Sequence, residues 1–333
     1  MLNRHNIRVK VLQSLYAQQM QGEVSPVIAE RYYMKMCQNG YKLYLYNLYF
    51  LQQIAQENQR EYEIRQQKLL PTAEDKAFVP RLYQNPIMEF LRNNEGWKKL
   101  LKSELITHMI GTEQVKKFYQ EFIASEYYQN TYLKGQNFPL KEHQYCLVNL
   151  YKMVIEHDDF RELLDDHFPT WEEDISLLYG AVKNTIREFP NNPLFYQDYK
   201  INEEILNDFG KALLYQVVNN DQKLQPLIAE KLQNWSEDRI ATMDMLIIKM
   251  AMCEFWFHPS IPSKVTIDEY VLIGKEYSTD KSKRFLNGIL DRLMRDEQQK
   301  GHIQKSGRGL VDTNPEAKRE NSPQETADNQ PKE

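Results

Sequence analysis

The chain has 333 residues, 41% of them hydrophobic and 27% charged, the balance of a folded soluble protein rather than a disordered or membrane-embedded one. Only 12 Gly and 14 Pro occur, fewer than the roughly 12% of an average chain, so helix breakers are scarce and a mostly helical fold is expected. The net charge of -5 excludes bulk binding of nucleic acid and leaves only a local basic patch for such a role.

Three cysteines, Cys37, Cys146 and Cys253, are too far apart for a disulfide framework or a zinc spacing. Arg4, Arg8 and Lys10 interrupt the first apolar stretch, which therefore lacks a secretory core. The most apolar segment, 243–252, contains Asp244 and Lys249 and is too short to span a bilayer, so a cytoplasmic protein is expected.

In chain order, Ile7, Val11, Leu12 and Leu15 set a helical period over 3–19, with Arg4, Arg8 and Lys10 on its polar face. Gly22, Ser25 and Pro26 end it, and Pro26 suits the start of the next helix. Helical pattern then runs from Val27 to Leu69, with Asn39-Gly40 as a candidate interruption. Its second half, 56–68, is nearly all polar and is expected to project into solvent or pack weakly. Residues 71–86 read as a Pro-marked loop, followed by helical stretches over 86–93, 97–110 and 113–133 and a Gly/Asn/Pro break at 135–139. The 21 tyrosines have polar tips that suit helix boundaries and partner surfaces. The aromatic spacing between Tyr119 and Tyr132, by contrast, is read as ordinary packing.

Residues 150–174 align without gaps on 214–238, sharing Leu150/Leu214, Tyr151/Tyr215, Val154/Val218, Leu163/Leu227 and Trp171/Trp235 among other positions. A duplicated module and two similar helical hairpins both account for this. From Ser236 onward, Ile240, Met243, Ile247 and Met250 keep one apolar face that ends at Glu254. Pro259 and Pro262 stop that helix, Thr266 to Glu269 read as a capping box for the next, and Phe285, Ile289, Leu293 and Met294 mark the last. Beyond Lys300 the composition is that of a disordered tail.

No phosphate-cradling Gly-rich loop, nucleophile elbow or metalloprotease motif occurs, and no catalytic residue is assigned. The cluster Glu156-His157-Asp158-Asp159 with His167 reads as a solvated acidic face, so no metal site and no cofactor are expected. Two basic clusters remain: Arg4, Arg8 and Lys10, and Lys281, Lys283 and Arg284 at a helix start, where free backbone N–H groups suit phosphate. Phe285 could stack on a base or be the first core residue of its helix.

The segment Ala251-Met252-Cys253-Glu254-Phe255, then Ile261-Pro262-Ser263-Lys264-Val265-Thr266-Ile267-Asp268-Glu269, Gly274-Lys275 and Lys283-Arg284-Phe285-Leu286-Asn287-Gly288-Ile289-Leu290-Asp291 resembles the C-terminal part of the NusB family. The family order is an "A-L-Y-E-L"-like turn, "P-x-K-V-x-I-N-E-A" and a closing "K-F-V-N-G-V-L-D". Arg4-His5-Asn6-Ile7-Arg8 followed by Val11 to Tyr16 resembles its Arg-rich arm and "A-L-Q-A-L-Y". The resemblance implies an all-α, non-catalytic transcription antitermination factor. Such a factor binds box A-like single-stranded RNA together with the ribosomal protein NusE, within an RNA polymerase antitermination complex. It also implies RNA contacts from Arg4, Arg8, Lys10, Lys281, Ser282, Lys283, Arg284 and Phe285. His5 and Asn6 stand where the family often has arginine, and Lys281 where an acid is common.

The expected organisation is thus a NusB-like helical bundle with a large helical insertion: arm and first helix 1–22, extended helical region 23–235, C-terminal helical region 236–300 and disordered tail 301–333. The alternative is a helical protein–protein scaffold that uses the Tyr-rich middle and binds no RNA.

Overall fold

The computed structural model describes residues 2–22, 25–135, 137–232, 241–279 and 281–312. Among these it is all-α: fifteen α-helices with short 3-10 and π-helical stretches and no strand. No helix of the described residues is long and apolar enough to cross a membrane. The chain divides into two compact units, one formed by 35–202 with the first two residues, the other by 3–34 together with 203 onward.

The first unit contains most of α2 (Pro26–Gln66) and then α3 (Ala73–Ala77), α4 (Pro86–Asn93), α5 (Glu95–Ser103), α6 (Thr112–Ala124), α7 (Leu140–Glu156), α8 (Asp158–His167), α9 (Trp171–Glu188) and α10 (Phe195–Asp198). α2 runs through Asn39-Gly40 without a break. Met36, Cys37, Tyr41 and Leu45 are buried around that point, and their packing exceeds the roughly 1 kcal/mol that a helical glycine costs. The polar half of α2 is not simply solvated. Asn58 is buried: its Nδ2 donates to the Tyr119 hydroxyl at 2.9 Å, and its Oδ1 accepts the Leu82 N–H at 3.0 Å and the Tyr83 N–H at 3.3 Å. One amide side chain thereby satisfies backbone donors that a buried turn would otherwise leave unpaired.

Aromatic rings dominate this core. Phe50 packs edge-on to Phe118 at 5.3 Å and tilted on Phe160 at 4.8 Å, with Tyr46, Tyr119, Tyr128, Tyr132 and Tyr151 also buried. Many of the tyrosines expected at partner surfaces are thus interior, and the Tyr41 hydroxyl finds a backbone acceptor, donating to the Tyr196 carbonyl at 2.6 Å. In the acidic cluster, the His157 ring nitrogen accepts the Asp159 N–H at 3.1 Å and caps α8.

The second unit is built on α13 (Thr242–Phe257), whose residues from Leu246 to Phe255 are all buried. A helix apolar on every side needs neighbours all round. They are α1 (Arg4–Met20), α11 (Ala212–Asn219), α12 (Asp221–Lys231), α14 (Ser263–Tyr277) and α15 (Ser282–Gln299). A π-helical stretch, Glu204–Lys211, runs into α11 and packs on α1. The one buried lysine of α13, Lys249, reaches Asp221 Oδ1 at 2.6 Å.

The unit boundaries at 34/35 and 202/203 differ from those expected at 22/23 and 235/236. The cause is burial: Phe209, Leu213, Leu214, Val217, Leu224 and Ile228 complete the core of the second unit. The two aligned segments fall in different units. Leu150 and Leu214 are both buried, whereas Tyr151 is buried and Tyr215 is half-exposed and bonded to Glu30. Trp235 and its neighbours lie outside the described residues. α14 begins at Ser263, immediately after Pro262, rather than at the expected capping box. Thr266 is buried inside the helix, and its hydroxyl donates to Glu254 Oε1 at 2.8 Å. Of the segment expected to be a disordered tail, residues 301–312 fold back on the unit, and 313–333 lie outside the described residues.

Candidate nucleic-acid interface

α1 starts with a reciprocal cap: Asn3 Oδ1 accepts the Asn6 N–H at 3.1 Å, and Asn6 Oδ1 accepts the Asn3 N–H at 3.0 Å. Arg4, in the first turn, is exposed, with its guanidinium 5.6 Å from the centre of the Phe209 ring. One turn on, Arg8 is only 3% exposed. Its Nε and Nη2 donate to the two carboxylate oxygens of Glu254, each at 2.8 Å, and its Nη1 donates to Glu269 Oε2 at 3.2 Å. Burial alone lowers an arginine pKa, but the hydrogen bonds and charge of Glu254 outweigh it and hold Arg8 above its ordinary value. Glu254, fully buried, also accepts from the Thr266 and Tyr270 hydroxyls. Tyr270 in turn is held well above the usual phenol range by burial and by that carboxylate.

Two further residues expected to touch RNA are interior. Lys10 is 1% exposed. Ser282 is buried; its hydroxyl donates to Asp244 Oδ2 at 2.8 Å and accepts the Thr279 N–H at 3.2 Å, which pins the start of α15 to α13. That anchor leaves Lys281, Lys283 and Arg284 exposed around the first turn, with Phe285 half-buried beside them. Leu286, Ile289, Leu290 and Leu293 bury the opposite face.

Arg8 was readable as an interior residue from one signal: Glu254 stands on an otherwise apolar face, and a buried carboxylate needs a cation. A cleft of about 690 Å³ opens beside the start of α1, lined by Asn3, Arg4, His5, Arg8, Ile261, Pro262, Glu269 and also Arg308. His5 Nδ1 lies 2.9 Å from Glu269 Oε2. Nearby His258 is kept below its ordinary pKa chiefly by burial, and its Nε2 lies 2.9 Å from Gln216 Oε1. Among the described residues, no group of three or more His, Cys, Asp or Glu is placed to hold a metal ion.

Residues 175–295 match the family model described as NusB family. The transcription antitermination protein NusB of Chloroherpeton thalassium is 41% identical over 105 residues, 32% of this chain and 50% of that protein. Its counterpart in Salinibacter ruber is 34% identical over 104 residues, 31% of this chain and 65% of that protein. That of Syntrophotalea carbinolica is 41% identical over 92 residues, 28% of this chain and 59% of that protein. The chain thus spans between half and two thirds of the length of the curated relatives it matches. No solved structure matches. The matched span holds the buried α13, the Pro262-to-Glu269 motif and the exposed basic turn of α15, and these are the features over which this chain is similar to the NusB family.

Proposed function

We propose that the protein is a non-catalytic RNA-binding transcription antitermination factor. It binds box A-like single-stranded RNA together with ribosomal protein NusE, as part of an RNA polymerase antitermination complex on ribosomal RNA operons. The observation that carries this reading is the first turn of α15, where a buried serine fixes the helix start and three cations stand exposed beside a half-buried phenylalanine. Exposed Lys and Arg neutralise phosphates, and an aromatic edge next to them can take a base. Arg4 adds a fourth surface cation at the start of α1. Arg8, Lys10 and Ser282 have a supporting part in this reading: they hold the frame that presents the other residues.

The scaffold alternative relied on the Tyr-rich middle, whose tyrosines are largely committed to the core of the first unit. The test is binding of the full chain to labelled box A-like RNA, with and without NusE. The double substitution Lys283→Ala/Arg284→Ala should weaken binding by about tenfold while leaving helix content intact, since each lost phosphate contact removes a counterion-release contribution. An unchanged affinity would remove the site assignment.

A further inference from the structure

Residues 301–312 lie beyond the 175–295 family match, yet they are built onto the second unit by specific contacts. The last helix ends with the Gly301 N–H on the Gln298 carbonyl and the His302 N–H on the Glu297 carbonyl, both at 3.0 Å, with Gly301 at φ +72°. This is a Schellman turn, which reverses the chain. Glu297, buried at the turn, accepts from Trp256 Nε1 at 3.0 Å and lies 2.7 Å from His302 Nδ1. The segment then runs to the corner after α13. The Lys305 ammonium donates to the His258 carbonyl at 3.2 Å, and the Ser306 N–H donates to the Pro259 carbonyl at 3.0 Å. Gly309 is buried so closely that a Cβ there would sit 2.0 Å from the Pro259 carbonyl oxygen.

These contacts set Arg308 on the wall of the cleft beside α1. The charges in that cleft do not cancel. Arg8 is matched by Glu254, and Glu269 is shared by Arg8 and His5. Arg4 and Arg308 are exposed, and neither pairs with a carboxylate among the described residues. Ile261 and Pro262 supply an apolar wall. A cleft of several hundred Å³ with two unmatched guanidinium groups and an apolar side has the chemistry for a nucleotide, its phosphate held by the arginine forks.

We propose that the segment 301–312 extends the RNA-binding surface of this chain, carrying Arg308 to the cleft where, with Arg4, it binds a backbone phosphate of single-stranded RNA. This rests on the RNA-binding reading above and adds to it a residue and a segment outside the family match.

The test measures binding of the full chain to labelled box A-like single-stranded RNA over a range of salt concentrations. Arg308→Ala should weaken binding about three- to tenfold and flatten the slope of log affinity against log salt by about 0.7, the value for one phosphate contact on a single strand. Gly309→Ala keeps the arginine but displaces it, because a backbone carbonyl cannot make room, and should produce the same loss. Arg295→Ala, a surface arginine paired with Asp291, is the control and should change nothing. Wild-type affinity and slope in either Arg308→Ala or Gly309→Ala, with Lys283→Ala/Arg284→Ala still impaired, would overturn this inference alone. If the Lys283→Ala/Arg284→Ala chain also binds as wild type, the RNA-binding reading falls and takes the inference with it.

Discussion

Glu254 has no exposed surface, and four donors reach its carboxylate, two from Arg8 and one each from Thr266 and Tyr270. Removing one side of such a pair leaves an uncompensated charge in a low-dielectric interior. Glu254→Leu should therefore cost roughly 3–5 kcal/mol of unfolding free energy, measured by denaturant titration. Arg8→Met combined with Glu254→Leu should cost clearly less than the sum of the two single changes, since the double variant strands no charge. Purely additive losses would show that the pair is not coupled. The same pair explains why Arg8 was misplaced by sequence reasoning. A sequence displays the sign of a charge but not a partner 246 positions away. Arg4, four residues earlier, carries the same sign and is exposed, and the packing of α13 and of the π-helical stretch 204–211 on α1 separates the two roles.

Among the helices, α14 and α15 approach closely because Gly274 has no side chain. A Cβ there would sit 2.1 Å from Leu286 Cδ1, and Leu286 is itself fully buried. Gly274→Ala should lower stability by about 1–3 kcal/mol through overpacking, despite the better helix propensity of alanine, and should appear as a reduced melting temperature with helix content retained. A melting temperature at or above that of wild type would mean that Leu286 yields freely. The register of α15 was legible because its apolar residues repeat at the helical period, whereas α1 and α13 are buried on nearly every side and their polar positions did not mark a solvent face. The start of α14 was not, since Thr266 fits a cap by sequence and a buried hydrogen bond to Glu254 by structure. The burial of Asn58 was likewise invisible, because the donors it satisfies, at Leu82 and Tyr83, lie on a loop whose path no local pattern specifies.

For the molecule as a whole, the class was legible from composition alone, whereas the size of the basic surface was not. The first 20 residues hold three cations and no acid, but two of the three are buried, so Arg4 alone adds to the charge of the α15 turn. On single-stranded RNA, Arg4, Lys281, Lys283 and Arg284 together should contribute about -3 to the slope of log affinity against log salt, and removing Arg4 should make the slope about 0.7 shallower. A slope near zero would exclude phosphate contacts as the basis of binding. The second unit, assembled from 3–34 and from 203 onward, also fixes an order of events at the ribosome. At about 5–20 residues per second, α1 leaves the exit tunnel some tens of seconds before the carboxylate that anchors it has been made. The intervening stretch 35–202 is contiguous and can close its aromatic core within that wait. Ile7, Val11, Leu12 and Leu15 meanwhile stay without their native cover, which makes α1 a stretch that needs a chaperone during synthesis.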